Sequence, residues 1–135
     1  MKYALALLLS LTVSSWVFAE EDGEAAQKRS VYHNISPPFV SNFGLSEKKL
    51  SYVKAEVALK VESESFLEKV KNNEALVRHE IVMLLSSQTS EQMRDPAAQE
   101  NIRLTALSRV KEALAEEIGQ TGVQDLLFTS FVVQI

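Results

Sequence analysis

The amino-acid sequence predicts an α+β fold, in which two or three helices pack against a small sheet. Residues 50–62 alternate apolar and polar side chains, which predicts a strand with one buried and one solvated face. Two stretches between residues 74 and 118 instead repeat their apolar side chains at helical spacing. Residues 126–135 are almost wholly apolar or β-branched, which favours a buried central strand. Strands at both ends with helices between them define the class.

The first strand is predicted over residues 31–43, where aromatic and β-branched side chains surround Pro37 and Pro38. Proline cannot donate a ladder hydrogen bond, so this strand should be a broken strand at the edge of the sheet. Residues 44–49 carry a glycine, a serine and three charges, the composition of a turn. We therefore expect a hairpin between the first strand and the alternating strand.

Three helices or helical turns are predicted before residue 95. Ser65 and Glu68 have the spacing of a capping box, so a short helix should begin with Phe66. A second helix should run over 74–87, and Thr89 with Gln92 should cap one further turn. The apolar stripe of the second helix consists of Val77, Ile81, Leu84 and Leu85.

A long helix should follow residue 95. Asp95 suits the N-cap and Pro96 the first helical position, since the N–H that proline lacks would be unpaired there. Gly119 suits the left-handed residue that ends many helices. The apolar residues predicted to face the core are Leu104, Leu107, Val110, Leu114 and Ile118.

The N-terminus has the pattern of an export signal. Lys2 precedes an apolar stretch over 3–13, and Ala19 ends a site suited to cleavage. The alternative is an uncleaved short membrane anchor, because residues 3–19 approach the length that spans a bilayer. The acidic run after residue 19 places the remaining chain outside the cytoplasm in both cases.

Residues 20–30 are polar and lack an apolar period, so they should form a flexible spacer before a folded domain over 31–135. The chain contains no cysteine, which excludes disulfides and thiolate metal sites. Its net charge of −4 argues against a nucleic-acid partner, because phosphate binding needs a basic surface. Because disulfides are excluded, the stability of the domain must come from packing.

The sequence shows no pattern typical of catalysis or of a cofactor site. His33 and His79 are far apart in sequence and have no metal-ligand spacing around them. Carboxylate pairs such as Glu116 with Glu117 are better explained as solvated helix or strand ends. We therefore predict a protein that is not an enzyme and binds no metal or cofactor. The same solvated character is expected for the polar side of the long helix, at Glu100, Arg103, Arg109 and Lys111.

The order of these motifs resembles the extracytoplasmic domain of the flagellar basal body-associated protein FliL family. Three groups of residues carry the resemblance, over roughly residues 31–134. The first is Tyr32, Pro38, Phe39, Val40 and Asn42, followed by Tyr52, Val53, Lys54, Val57, Ala58 and Leu59. The second is Arg78, Ile81, Leu84, Leu85, Ser86 and Thr89, and the third is Leu127, Phe128, Thr129, Phe131, Val132 and Gln134.

This resemblance implies a stomatin-like domain on the periplasmic side of the inner membrane, without catalytic residues. It implies a homo-oligomeric ring around stator units that supports swimming, swarming, flagellar rotation and its control in chemotaxis. Members of the family usually have a cytoplasmic tail and a clear membrane-spanning helix, whereas only Met1 and Lys2 precede the apolar stretch here. The rival interpretation is a periplasmic peptide- or small-ligand-binding module that uses an exposed sheet edge.

Overall fold

The computed structural model describes residues 29–135 and confirms the α+β class. Within this range the strands are β1 (Val31–Phe43), β2 (Ser51–Val61) and β3 (Val123–Gln134). The helices, all between β2 and β3 in the chain, are α1 (Glu64–Asn72), α2 (Glu74–Ser86), α3 (Ser90–Arg94) and α4 (Pro96–Ile118). The predicted signal peptide or anchor over 1–19 and most of the spacer lie outside the described residues. The likeness to stomatin stays a prediction.

The three strands form one antiparallel sheet in the order β1-β2-β3. The prediction that the C-terminal strand is central is therefore wrong, because β2 is central and β3 forms an edge. An apolar run does not determine strand order. The order follows from the pairing of β2 with both neighbours, through Phe43↔Ser51 on one side and Tyr52↔Gln134 on the other.

The predicted interruption of β1 is confirmed. The Ser36–Pro37 peptide bond is cis, and the register with β2 shifts between Ile35 and Phe39. Arg78 of α2 packs against this interruption, donating to the Pro37 carbonyl at 2.8 Å while its guanidinium lies 4.4 Å from the Phe39 ring centroid. The hairpin between β1 and β2 is also present, with Gly44 in the left-handed conformation at its start.

The caps of the later helices are those predicted from the sequence. Thr89 and Gln92 form the capping box of α3, Asp95 caps α4, and Gly119 ends α4 at a φ of 67°. The predicted start of α1 is wrong, since Ser63 rather than Ser65 is its N-cap and accepts from the Phe66 N–H. Because β2 ends two residues before Ser63, the chain turns into the helix at the earlier serine.

The helices cover one face of the sheet, and the core lies between the two layers. The inward side chains of β2 are fully buried, as their alternation predicts. Leu104 was expected in the core but is 48% exposed, because the buried face of α4 follows residues spaced four apart. That face consists of Ile102, Ala106, Val110 and Leu114.

Candidate interaction surface

The residues considered for metal binding lie in two separate settings. His33 of β1 lies against the start of α2, with its Nε2 atom 3.6 Å from Glu74 Oε2, and His79 is exposed on α2. Within residues 29–135, no group of three or more His, Cys, Asp or Glu side chains could hold a metal ion. Glu116 and Glu117 are exposed, as expected of solvated carboxylates.

Arg103 is not a free solvent-facing side chain, contrary to the prediction. Its guanidinium donates to Glu100 Oε1 at 2.6 Å, to Asp125 Oδ1 at 2.8 Å and to the Leu126 carbonyl at 3.0 Å. The hydrogen bond from Arg103 holds the pKa of Glu100 below its ordinary value of 4.5, and the Glu100 carboxylate raises the pKa of Arg103. Arg103 therefore links α4 to β3.

The face of the sheet away from the helices presents mixed polar and apolar rows that cross all three strands. One row pairs Val40, Lys54 and Val132, and both valines are exposed. The next row towards the hairpin pairs Asn42, Tyr52 and Gln134, with a hydrogen bond of 3.2 Å from the Tyr52 hydroxyl to Gln134. Cross-strand neighbours share a face, so these rows form one continuous surface.

The hairpin end of this sheet concentrates the exposed apolar side chains. Eight large hydrophobic residues are exposed within residues 29–135, and five of them lie at this end. Leu45 and Leu50, in the loop itself, are 73% and 69% exposed. We define the hairpin-end patch as Val40, Leu45, Leu50, Tyr52 and Val132. Clustered exposed apolar side chains of this kind mark contact surfaces more often than scattered ones do.

The hairpin loop that carries the two leucines is held in place by the turn between α2 and α3 and by the start of α3. Gly44 donates its N–H to the Gln88 carbonyl at 2.9 Å, which anchors the start of the loop. The Glu47 carboxylate accepts from the Ser90 N–H at 3.0 Å and also from the Ser90 hydroxyl, at the first residue of α3. The leucines are therefore displayed by an ordered loop.

Removing the Ser90 hydroxyl should lower the melting temperature at neutral pH. Ser90 holds the pKa of Glu47 below its ordinary value of 4.5. A carboxyl whose pKa is lowered by folding contributes its full stabilisation at pH values above its unfolded-state pKa. This stabilisation is lost as pH falls through the folded-state pKa. The difference in melting temperature between wild type and Ser90→Ala should therefore shrink as pH falls below 4.5.

The control for this series is Ser46→Ala, at an exposed serine of the same loop. It should show no such pH-dependent difference from wild type. Thermal melts recorded for the three proteins from neutral to acidic pH make the comparison. A Ser90→Ala difference that stays constant across the range would show that Glu47 does not contribute through its charge.

A hollow of about 400 Å³ lies on the sheet where β1 is interrupted. Its polar lining comes from all three strands and includes one carboxylate, Glu56. The lining residues are Asn34, Ile35, Ser36, Pro38, Glu56, Val57 and Thr129. This hollow is one candidate place for a small ligand in the described chain.

The geometry describes a small α+β domain whose uncovered sheet face and apolar hairpin end are its distinctive surfaces. A protein-family model described as "Flagellar basal body-associated protein FliL" matches residues 32–134. The chain is 30% identical over 105 residues to "Flagellar protein FliL" of Aquifex aeolicus (strain VF5). The aligned region covers 78% of this chain and 62% of that relative. The chain belongs to the FliL family.

Family membership confirms the resemblance found in the sequence. The family is one of proteins associated with the flagellar basal body. Since the aligned region covers 62% of the Aquifex protein, the chain spans less than two thirds of the length of that relative. Within residues 29–135, no helix has both the length and the hydropathy needed to cross a membrane.

Proposed function

We propose that this chain is a non-enzymatic accessory of the flagellar motor that acts on the periplasmic side of the inner membrane. Residues 1–19 deliver or anchor it there, and the domain over 31–135 supports stator activity by contacting motor proteins and other copies of itself. It thereby supports swimming, swarming, and rotational control in chemotaxis. Family membership supports the basal-body location, and the hairpin-end patch is the observation that carries the mode of action.

The position of the hairpin-end patch favours a protein partner over a lipid surface. The described body starts at the beginning of β1, and the patch lies at the other end of that 13-residue strand. The segment of β2 that pairs with β1, Ser51–Val61, takes ten steps of about 3.3 Å, so the two ends of β1 are roughly 33 Å apart. If residues 1–19 stay in the membrane, the patch lies at the end of the domain farther from the tether, which leaves it available to a protein partner.

The charges around the patch describe the partner's surface. Lys48 and Lys49 lie in the hairpin loop, and Lys54 lies between Val40 and Val132 in the sheet. These lysines contrast with the net charge of −4 of the chain. An apolar patch with a basic surround fits a partner surface that is apolar with an acidic rim.

Such a contact supports the motor through a shift in population. A stator unit that exchanges between an inactive and an active, anchored state moves towards the active state only if the accessory binds that state more tightly. The difference in binding free energy sets the size of the shift, and no catalytic group is needed. The hairpin-end patch would supply this differential contact.

The test is complementation of a deletion strain with Leu45→Ser/Leu50→Ser. Burying a leucine contributes about 1.5–3 kcal/mol, so losing both should weaken the contact by more than about tenfold. We expect the deletion to reduce swimming and swarming under load, wild type to restore them, and the double variant to restore them poorly. Swimming speed in viscous medium and swarm diameter are the readouts.

The matched control is Met83→Ser/Leu104→Ser, which removes two exposed apolar side chains outside the hairpin-end patch. Surface changes of this kind usually alter stability by less than about 0.5 kcal/mol, so both variants should reach wild-type levels in immunoblots. Full restoration by the hairpin-end variant would contradict the role of the patch. Unchanged motility in the deletion strain would contradict the proposed function itself.

A second candidate function is a periplasmic peptide- or small-ligand-binding module, favoured by the hollow at the interruption of β1. The residues that line it include the polar Asn34, Glu56 and Thr129 together with apolar ones, a mixture that binding sites often have. A panel of small metabolites and extended peptides should then include one that raises the melting temperature of wild type but not of Glu56→Ala. If no compound in the panel has this effect, the second candidate function is contradicted.

A further inference from the structure

Both pairings of the central strand are interrupted beside the same residue, Glu56. On the β1 side the register shifts between Ile35 and Phe39, so three residues of β1 correspond to Glu56 alone. On the β3 side the register shifts beside Glu56, and Thr129 is left without a partner. Extra residues of this kind are over-represented next to functional sites, because they redirect side chains. The two interruptions meet at the hollow of about 400 Å³.

The polar side chains of this hollow have no hydrogen-bond or ion-pair partner in the described chain. They are Asn34, Ser36, Glu56 and Thr129. All four are exposed, so a ligand can reach them. Elsewhere on the same face, polar groups contact one another: the Tyr52 hydroxyl donates to Gln134, and the Lys60 Nζ atom lies 5.9 Å from the centroid of the Tyr32 ring. The hollow therefore gathers hydrogen-bonding groups that the fold itself does not use.

The nearest cation along the strand does not neutralise Glu56 through a contact. Lys54 precedes Glu56 by two residues on the same face of β2, which separates their Cα atoms by about 7 Å. Lys54 lies in the row between Val40 and Val132, and it does not line the hollow. The Glu56 carboxylate is thus the one charged group of the lining, and a positively charged ligand complements it.

The set of acceptors selects among cations. A carboxylate, an amide oxygen and two hydroxyl oxygens line the hollow, and a primary ammonium group has three donors to offer them. Calcium ion takes about six to eight oxygen ligands and usually several carboxylates, whereas this site has one carboxylate. Among the described residues of the lining none is aromatic, so the hollow lacks the ring faces that bind quaternary ammonium ions.

We propose that the hollow binds a small organic amine through its primary ammonium group. The Glu56 carboxylate is the charged acceptor, and the Asn34 amide oxygen and the Thr129 hydroxyl oxygen complete the hydrogen bonds. The apolar residues of the lining, Ile35 and Pro38 among them, leave room for the carbon chain of the ligand. This inference rests on the second candidate function and names the class of ligand.

The experiment is an NMR titration of the purified full chain, labelled with ¹⁵N, at constant ionic strength and neutral pH. The probes are propylamine, tetramethylammonium, which has the charge but no N–H donor, propanol, which is neutral, and calcium ion. We expect propylamine to shift amide signals around Glu56 and the other three probes to shift them much less. In Glu56→Gln the dissociation constant for propylamine should rise by about tenfold or more.

The matched control is Glu117→Gln, which removes the same charge from an exposed position on α4. It should leave the dissociation constant for propylamine unchanged. Absence of a propylamine response, an equal response to tetramethylammonium, or equal weakening by both variants would overturn the inference. If propanol or calcium ion instead shifts these signals only when Glu56 is present, the ligand class is wrong while the second candidate function stands. Motility plays no part in these outcomes, so the motor role is tested separately.

Discussion

Replacing Phe66 with alanine is expected to lower the free energy of unfolding by about 3–5 kcal/mol, the cost of truncating a buried phenylalanine. Phe66 is almost fully buried and anchors α1 in the core. Its ring packs on Gly122, just before β3, where an added Cβ atom would lie 2.5 Å from the ring carbons. Urea denaturation of the full chain measures the loss, and Phe66→Leu should cost less because it keeps most of the apolar volume.

The contact between Phe66 and Gly122 also predicts coupling. Gly122→Ala should destabilise the fold, by about 1–3 kcal/mol, because the ring and the backbone cannot both keep their positions. In the Phe66→Ala background the same change should cost much less, since the obstructing ring is absent. Additive losses in the double variant would show that the close approach of ring and glycine does not govern the site.

The second large effect concerns the buried face of α4. Ile102→Ala should lower the free energy of unfolding by about 2–5 kcal/mol, because Ile102 is buried in the core. Leu104→Ala should change it by less than about 0.5 kcal/mol, because Leu104 is exposed on another side of the same helix. The two variants remove comparable apolar volume two residues apart. Similar losses from both would contradict the orientation of α4.

Local signals predicted most elements of this fold. The alternation in β2, the capping box at Thr89 and the Asp95–Pro96 start of α4 each depend on neighbouring residues. The adjacent prolines Pro37 and Pro38 were enough to predict the interruption of β1. In these places the chemistry that decides the structure lies within a few residues, so a single sequence reveals it.

The errors arose where distant contacts decide the structure. The local capping-box spacing favoured Ser65 as the cap of α1, but Ser63 is the cap because β2 ends two residues before it. The position of β3 at an edge depends on pairing with β2, across more than sixty residues of chain. Leu104 carries an apolar side chain outside the buried stripe, a position that helical spacing alone does not exclude.

The candidate surfaces were harder to predict than the fold. Leu45 and Leu50 are visible in the turn, but their exposure and their proximity to Val40 and Val132 require the folded sheet. Arg103 and Asp125 are 22 residues apart, so no spacing pattern indicates that they meet. The presence of two leucines, Leu45 and Leu50, in a short and otherwise polar turn was the one sequence signal that could have indicated the hairpin-end patch.

The most direct test of the central claim is the amount of this chain that co-purifies with isolated flagellar basal bodies. Quantitative mass spectrometry should find wild type and Met83→Ser/Leu104→Ser retained equally, relative to a structural basal-body protein. Leu45→Ser/Leu50→Ser, expressed at the same level, should be depleted by about tenfold or more if the hairpin-end patch makes the contact. Retention of the hairpin-end variant at the wild-type amount would contradict the account.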